Sequence, residues 1–127
     1  MNEQSSTSTR TIFIAEDEAL ILKMMTVRLQ KQGYTVITAA DGRQALERLQ
    51  SITPDLVITD LLMPYHSGLD VVEYVKKSKS DAIPVLVLSA SGDEALIQKA
   101  RSLGANEYIS KPFLPNDLLA LVKKYLD

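Results

Sequence analysis

Short apolar segments alternate with longer segments of helical spacing from residue 10 to the end of the chain, and this alternation restricts the fold more than any other feature. The apolar segments are rich in Val, Ile and Leu, as buried strands of parallel sheets are. They are Ile12–Ala15, Tyr34–Thr38, Leu56–Thr59, Ile83–Leu88 and Glu107–Ile109. The pattern predicts a doubly wound α/β domain of (βα)5 type, a five-stranded parallel sheet with helices on both faces and right-handed connections.

The helical segments have apolar faces and recognisable end signals. Asp41 is a favourable N-cap residue and Pro115 a favourable first-turn residue, whereas Gly33 and Gly104 are favourable at helix ends. The predicted inward-facing residues are Leu20, Ile21, Met24, Val27 and Leu29 in the first helix, Ala45, Leu46 and Leu49 in the second, Leu69, Val72 and Val75 in the third, Ala95, Leu96, Ala100 and Leu103 in the fourth, and Leu118, Leu119, Val122 and Leu126 in the fifth. The polar run KKSKSD at residues 76–81 predicts that the third helix ends there.

Composition excludes several classes of protein. A formal net charge of −2 gives neither a nucleic-acid footprint nor a basic membrane face. The chain has no Cys, which rules out disulfides and thiolate sites and suits the cytoplasm. No apolar run approaches the roughly 18 residues of a membrane span. Residues 1–9 are polar, lack a hydrophobic signal region and are expected to form a flexible leader before one domain at residues 10–127.

Charged and hydroxyl side chains follow four of the five predicted strands. They are the acidic run Glu16–Glu18 after the first, Asp60 after the third, Ser89 after the fourth and Lys111 after the fifth. Each alone has an ordinary explanation as a helix cap, a turn residue or solvated surface. Together they favour a site, because ligands of open α/β sheets bind at the carboxyl ends of the strands. Crowded carboxylates repel one another, and a hard divalent cation such as Mg²⁺ or Mn²⁺ would relieve that repulsion better than zinc.

Four sequence motifs occur in a family-specific order: IFIAEDE, LVITDLLMP followed by Gly68, VLVLSAS, and YISKPF. With them, residues 10–127 resemble the receiver domain of bacterial two-component response regulators, the family of the chemotaxis regulator. The resemblance implies a flavodoxin-like fold with strand order 2-1-3-4-5. It also implies a phosphorelay function, in which a sensor histidine kinase or a histidine phosphotransfer protein supplies a phosphoryl group.

The resemblance implies a role for each residue that matches a family motif. Asp60 would be the phosphoacceptor. Asp17 would bind Mg²⁺ directly, Glu16 would bind it through water, and the backbone carbonyl of Leu62 would complete the protein ligands. Lys111 would pair with Asp60 or with the phosphoryl oxygens, and the Lys111–Pro112 peptide bond would be cis. Glu in place of Asp at position 16 is a familiar variant of the family.

The resemblance further implies a two-state switch. Ser89 would donate its hydroxyl to a phosphoryl oxygen, and Tyr108 would move inward when Ser89 moves. The surface built from the fourth helix, the fifth strand and the fifth helix would then contact an output partner or a second copy of the chain. Neither direct nucleic-acid binding nor an enzymatic activity beyond self-phosphorylation and autodephosphorylation is expected.

Three positions depart from the usual family pattern. Leu62 and Ser91 stand where relatives carry residues that influence phosphoryl lifetime, and their side chains predict slow autodephosphorylation. His66 stands where an apolar residue is more usual. A phosphohistidine relay through His66 is conceivable, but a solvent-facing loop position explains it better.

Two other protein classes are alternatives to the receiver. A Mg²⁺-dependent phosphohydrolase of the haloacid dehalogenase type also uses an Asp nucleophile, but needs a second Asp where Leu62 stands. A flavodoxin-like nucleotide binder would present backbone amides after the first strand, where this chain presents Glu16–Glu18 and lacks a G-x-G pair. No DNA-binding or enzymatic segment was recognised, which leaves open a stand-alone regulator or the receiver of a longer protein.

Overall fold

The computed structural model describes residues 9–90 and 94–127, in which five parallel strands form one sheet. The strands are β1 (Thr11–Ala15), β2 (Thr35–Ala39), β3 (Leu56–Asp60), β4 (Val85–Ala90) and β5 (Glu107–Lys111). Their spatial order is β2-β1-β3-β4-β5, as the resemblance implied. The register pairs Ala15 with Thr59 and Ala90 with Lys111. The polar residues that end or follow β1, β3 and β5 therefore reach the same edge of the sheet.

Helices cover both faces of the sheet, which confirms the doubly wound (βα)5 prediction. They are α1 (Ala19–Lys31), α2 (Gly42–Leu49), α3 (Gly68–Tyr74), α4 (Glu94–Ser102) and α5 (Pro115–Leu126). The third helix ends within the run KKSKSD, as predicted: α3 passes into a π-helical turn at Val75–Lys79, and Ser80 is extended. Among the described residues, no helix combines the length and apolarity needed to cross a bilayer.

Alternating strand residues feed two separate hydrophobic cores. One core packs against α2, α3 and α4, and the other packs against α1 and α5. In β1, Phe13 belongs to the first core, whereas Ile12 and Ile14 belong to the second. All five residues of β3 are buried. A central strand buried on both faces gives a rigid support for whatever follows its last residue.

The apolar faces of α1 and α4 differ from the predicted ones. Leu20 is 83% exposed and Val27 is 41% exposed, whereas Met25 is fully buried. The run ALILKMMTV is apolar around most of the helix, so its sequence does not fix which stripe faces the sheet. In α4, Ala95 is exposed and Ile97 is buried. Contact with the sheet selected these faces, and the predicted burial of Leu20, Val27 and Ala95 was wrong.

The predicted end signals of the helices are confirmed. Asp41 caps α2 by accepting a hydrogen bond from the Gln44 amide at 2.8 Å. Gly33 and Gly104 follow α1 and α4 with φ of 94° and 113°, in the region that favours glycine. Pro115 occupies the first turn of α5.

Candidate functional site

Three acidic residues converge at the carboxyl edge of β1 and β3. Glu16 is fully buried, Asp60 is 5% exposed, and Asp17 is exposed. One carboxylate oxygen from each lies within 4.8 Å of the others. The backbone fixes this arrangement, because the Glu16 amide donates to Ala39 O at 3.1 Å and therefore ties the end of β1 to β2. The sequence-based grouping of these three acids is confirmed as a geometric cluster.

Lys111, the last residue of β5, reaches across to this cluster. Its Nζ lies 2.8 Å from Asp60 Oδ2, 2.8 Å from Glu16 Oε1 and 3.1 Å from Glu18 Oε2. The Lys111–Pro112 peptide bond is cis, as the resemblance implied. Burial alone would lower the pKa of Lys111, but its contacts with the carboxylates of Asp60, Glu16 and Glu18 raise that pKa above its ordinary value. Lys111 is therefore a fixed positive charge in the pocket.

The buried carboxyl of Glu16 has a shifted pKa. Burial is the main cause that raises this pKa, to about 7; the Asp60 charge acts in the same direction, and Lys111 and the Glu18 amide act against it. The Glu18 amide donates to Glu16 Oε2 at 3.0 Å, whereas Oε1 contacts Lys111 Nζ as a charge pair and accepts no directed hydrogen bond. A buried, under-coordinated carboxylate oxygen beside two further acids suits an oxygen-binding divalent cation such as Mg²⁺.

A pocket of about 340 Å³ opens above these groups. It is lined by Asp17, Glu18, Asp60, Leu62, Ala90 and Lys111. Four carboxylates, those of Glu16, Asp17, Glu18 and Asp60, face one ammonium in this region. The pocket is thus large enough for a phosphoryl group, with the Asp60 carboxylate and the Lys111 ammonium among its lining groups.

The two predicted switch residues, Ser89 and Tyr108, are not among the residues that line this pocket. Ser89 is 2% exposed, and its hydroxyl donates to Ala90 O at 3.0 Å. Tyr108 is half-buried and lies opposite Val87 in the register of β4 and β5. Their roles in switching remain predictions, and Ser89 would have to rotate away from Ala90 to reach the pocket.

The loop between β3 and α3 is held close to Asp60 by backbone contacts. The Gly68 amide donates to Leu61 O at 2.9 Å, and a Cβ at Gly68 would lie 2.0 Å from Asp60 O. Pro64 O accepts from the Gly42 amide at 3.1 Å, which ties the loop to the start of α2. Tyr65 has φ of 73° and stacks on the Arg43 guanidinium, 4.1 Å from the ring centroid. The loop that follows Asp60 is therefore held in place, and its residue Leu62 lines the pocket.

The three positions that depart from the family pattern differ in what the structure shows. The side chain of Leu62 is 59% exposed at the pocket, and its amide lies 3.4 Å from Asp60 Oδ1. The metal-binding role of its carbonyl remains a prediction. His66 is exposed on the loop, with Nδ1 3.3 Å from Asp70 Oδ2, as expected of a solvent-facing position. Ser91 lies outside the described residues.

Sequence reasoning missed the contribution of Glu18. It was recognised as part of an acidic run, but no role followed for it. The structure shows its carboxylate at 3.1 Å from Lys111 Nζ, across a sheet edge that separates β1 from β5 by two strands. The pair of Glu18 and Lys111 could be predicted only from the strand order together with the reach of the lysine side chain.

A family model described as the response regulator receiver domain matches residues 12–123. The chain belongs to this family. The receiver is 38% identical over 115 residues to the probable transcriptional regulator ycf27 of Guillardia theta, covering 91% of this chain and 44% of that protein. It is 34% identical over 117 residues to the alkaline phosphatase synthesis transcriptional regulatory protein PhoP of Bacillus subtilis, covering 92% of this chain and 48% of that protein.

Solved structures give the same result for the fold. The chemotaxis response regulator CheY4 of Vibrio cholerae is 32% identical with a TM-score of 0.86, covering 94% of this chain and 100% of that one. A CheY-like receiver domain protein of Methanospirillum hungatei is 26% identical with a TM-score of 0.87, covering 92% of this chain and 93% of that one. The chain spans about half the length of the curated relatives that it matches. It is a response regulator receiver domain of two-component signalling.

Proposed function

We propose that the receiver accepts one phosphoryl group on Asp60 from a phosphohistidine of a sensor histidine kinase or of a histidine phosphotransfer protein. The observation that carries the proposal is the pairing of Asp60 Oδ2 with Lys111 Nζ at 2.8 Å, at the base of an open pocket. Asp60 stands at the end of a fully buried strand, so its carboxylate is held in one place. Positioning of this kind is the main contribution of a protein to phosphoryl transfer.

The proposed step needs little covalent work by the protein. A carboxylate oxygen of Asp60 attacks the phosphorus, and the new P–O bond forms as the P–N bond to the donor imidazole breaks. The electron pair of that bond stays on the imidazole nitrogen. Lys111 donates hydrogen bonds to the phosphoryl oxygens and offsets their charge in a preorganised pocket.

The cation of the acidic cluster is proposed to be Mg²⁺, with Mn²⁺ as a substitute. Asp17, Asp60 and the Leu62 carbonyl would hold it, with Glu16 acting through water. The cluster geometry and the under-coordinated oxygen of Glu16 support this assignment. When bound, the cation would neutralise charge on the phosphoryl oxygens.

The proposed response to phosphorylation begins at Ser89. Its hydroxyl would leave Ala90 O for a phosphoryl oxygen, and Tyr108 would occupy the space that becomes free. Ser89 and Tyr108 belong to β4 and β5, so the change would reach the surface formed by α4, β5 and α5. An output partner or a second copy of the receiver would bind there, in the cytoplasm and without direct contact of this chain with nucleic acid.

A phosphorylation assay tests the proposal. The receiver is incubated with acetyl phosphate and Mg²⁺, and intact mass spectrometry counts the phosphoryl groups gained. One group is expected on the wild type and on the exposed-acid control Asp117→Asn, and none on Asp60→Asn. Multiple turnover of phosphate esters without accumulation of phosphoprotein would instead favour the phosphohydrolase, and tight flavin binding would favour the nucleotide binder.

A further inference from the structure

Three carboxylate oxygens surround the ammonium of Lys111. Those of Asp60 and Glu16 lie 2.8 Å from Nζ, and that of Glu18 lies 3.1 Å from it. Asp60 and Glu18 accept directed hydrogen bonds from this ammonium, and Glu16 Oε1 lies against it as a charge pair. A phosphoryl oxygen that approaches Lys111 from the pocket therefore has to compete with these carboxylates for the N–H groups of Nζ.

The burial of the three acids decides which of them moves. The side chain of Glu16 is fully buried and its second oxygen is held by the Glu18 amide. The side chain of Asp60 is 8% exposed, and this residue is the nucleophile of the proposed reaction. The side chain of Glu18 is 59% exposed, so its carboxylate can turn into water at small cost. Glu18 is therefore the exchangeable ligand of Lys111.

The side chain of Glu18 is directed at Lys111 and not at the start of its own helix. It is the N-cap residue of α1, yet its side chain makes no capping hydrogen bond. Its carboxylate instead lines the pocket and lies against Lys111. The Glu18 carboxylate therefore accepts an N–H of Lys111 that a phosphoryl oxygen would use. It also adds a negative charge to the pocket that an anionic phosphodonor enters.

We propose that Glu18 is a positioning residue that competes with the phosphoryl group for Lys111 and so slows phosphorylation by small anionic donors. The inference rests on the proposed function of Asp60. The Glu18 carboxylate, which lines the pocket, would make the receiver react more slowly with free anionic phosphodonors. The discrimination is electrostatic, so added salt weakens it.

The rate of phosphorylation by acetyl phosphate tests this proposal, measured at saturating Mg²⁺ for the wild type, for Glu18→Gln and for Glu47→Gln. Glu18→Gln keeps the shape of the side chain and removes its charge. We expect it to react about threefold to fivefold faster, the size of one partly exposed ion pair. Glu47 is exposed on α2, outside the pocket, so the control changes net charge equally and keeps the wild-type rate.

A second readout separates competition from a merely structural effect. Raising KCl should narrow the difference between Glu18→Gln and the wild type, and beryllofluoride, a phosphoryl mimic, should bind more tightly to the variant. If Glu18→Gln reacts no faster than the wild type, or if the difference between their rates does not depend on salt, the inference about Glu18 is wrong. The proposed function of Asp60 would be unaffected by that result. Failure of the wild type to gain a phosphoryl group on Asp60 would contradict the proposed function, and the inference would fall with it.

Discussion

Gly68 shapes the pocket although it carries no functional group. Its amide donates to Leu61 O at 2.9 Å, and a Cβ at this position would meet Asp60 O at 2.0 Å. Both contacts involve backbone atoms of the segment that presents the Asp60 carboxylate. Any side chain at position 68 has to displace that segment, because backbone atoms cannot rotate out of the way as the end of a side chain can.

The variant Gly68→Ala should lower the free energy of unfolding by about 3 kcal/mol and slow the phosphorylation of Asp60. Urea unfolding and the acetyl phosphate assay measure the two effects. Gly33→Ala is the matched control, since a Cβ there meets no atom within 4 Å and only its φ of 94° is unfavourable. The control should cost about 1 kcal/mol and leave the reaction rate unchanged. Equal costs for the two variants would show that the loop yields without strain.

Leu62 bears on how long the phosphoryl group stays. Its exposed side chain lines the pocket but can neither orient nor activate an attacking water. Leu62→Asn should therefore speed the loss of the phosphoryl group about fivefold, the effect of one hydrogen bond of ~1 kcal/mol. The decay of phosphorylated receiver after removal of the donor measures this. Leu20→Asn, a change at an exposed leucine outside the pocket, should leave the decay unaltered. An unchanged decay in Leu62→Asn would refute the water-orienting argument.

The site residues were largely predictable because the carboxyl ends of parallel strands share one edge. Glu16 and Asp60 follow or end adjacent strands, so their neighbourhood depends only on strand order. The pairing of Glu18 with Lys111 was not predictable in this way. It depends on side-chain reach between strands that are not neighbours, and on whether an exposed glutamate caps its helix or turns toward a lysine.

At the scale of elements, Lys76 holds the π-helical turn that follows helix α3. Its Nζ donates to Ile83 O at 2.7 Å, to Asp81 O at 3.1 Å and to Asn106 Oδ1 at 2.9 Å. The π-helical turn is thereby fastened to the chain before β4 and to the residue before β5. The run of lysine and serine does not by itself predict this turn, since one partner of Lys76, Asn106, lies 30 residues away in the sequence.

Replacing this lysine should cost more stability than its partial exposure suggests. Burial lowers the pKa of Lys76, which offsets part of the gain from its hydrogen bonds. We expect Lys76→Met to lower the free energy of unfolding by ~2 kcal/mol, because hydrogen bonds from a charged donor are lost. Lys77→Met is the neighbouring control, with only an exposed pair to Glu73 at stake and a cost of at most ~0.5 kcal/mol. Urea unfolding compares the two variants. Similar small decreases in their free energies of unfolding would mean that Lys76 does not hold the π-helical turn in place.

Strand β5 and helix α5 are joined by a charge-assisted hydrogen bond. Tyr125 Oη donates to Glu107 Oε2 at 2.6 Å, and Lys124 Nζ donates to the same oxygen at 3.0 Å. These bonds lower the pKa of Glu107. The bond to Glu107, together with burial, raises the pKa of Tyr125 to about 12. Both shifts make the link between β5 and α5 dependent on pH.

The variant Tyr125→Phe should cost about 1.5 kcal/mol near neutral pH. Glu107 binds its proton less readily in the folded protein, so its contribution is complete above pH 4.5 and is lost as the pH falls through its lowered pKa. The difference between wild type and variant should therefore shrink in acid. In alkali it should shrink again above pH 10, because the tyrosine ionises first in the unfolded chain.

Free energies of unfolding measured in acid, near neutral pH and in alkali test both predicted decreases in the difference between wild type and Tyr125→Phe. Tyr65→Phe is the control, because that side chain is 67% exposed and stacks on Arg43. Its difference from the wild type should stay flat in acid. A Tyr125→Phe difference that is equally flat in acid would mean that the hydroxyl does not depend on the charge of Glu107.

At the scale of the whole molecule, the sheet gathers negative charge at one edge. Four carboxylates against one ammonium give the pocket a formal charge of −3, whereas the whole chain carries −2. The rest of the chain is thus close to neutral, and the repulsion is concentrated at the acidic cluster. The alternation of strands and helices predicted this concentration. It did not predict which stripe of α1 is buried, because that helix is apolar beyond its sheet-facing side.

Mg²⁺ should stabilise the whole domain through this edge. A ligand that binds only the folded state adds about 2.7 kcal/mol to the free energy of unfolding at a concentration 100 times its Kd. Urea unfolding in MgCl2, compared with EDTA plus NaCl of equal ionic strength, should show a gain that grows with the logarithm of the metal concentration. Asp17→Asn should remove most of the gain, and Asp117→Asn, on the exposed start of α5, should keep it. An equal gain in NaCl would mean that the edge is relieved by general screening, and the acidic cluster would then lose its assignment as a magnesium site.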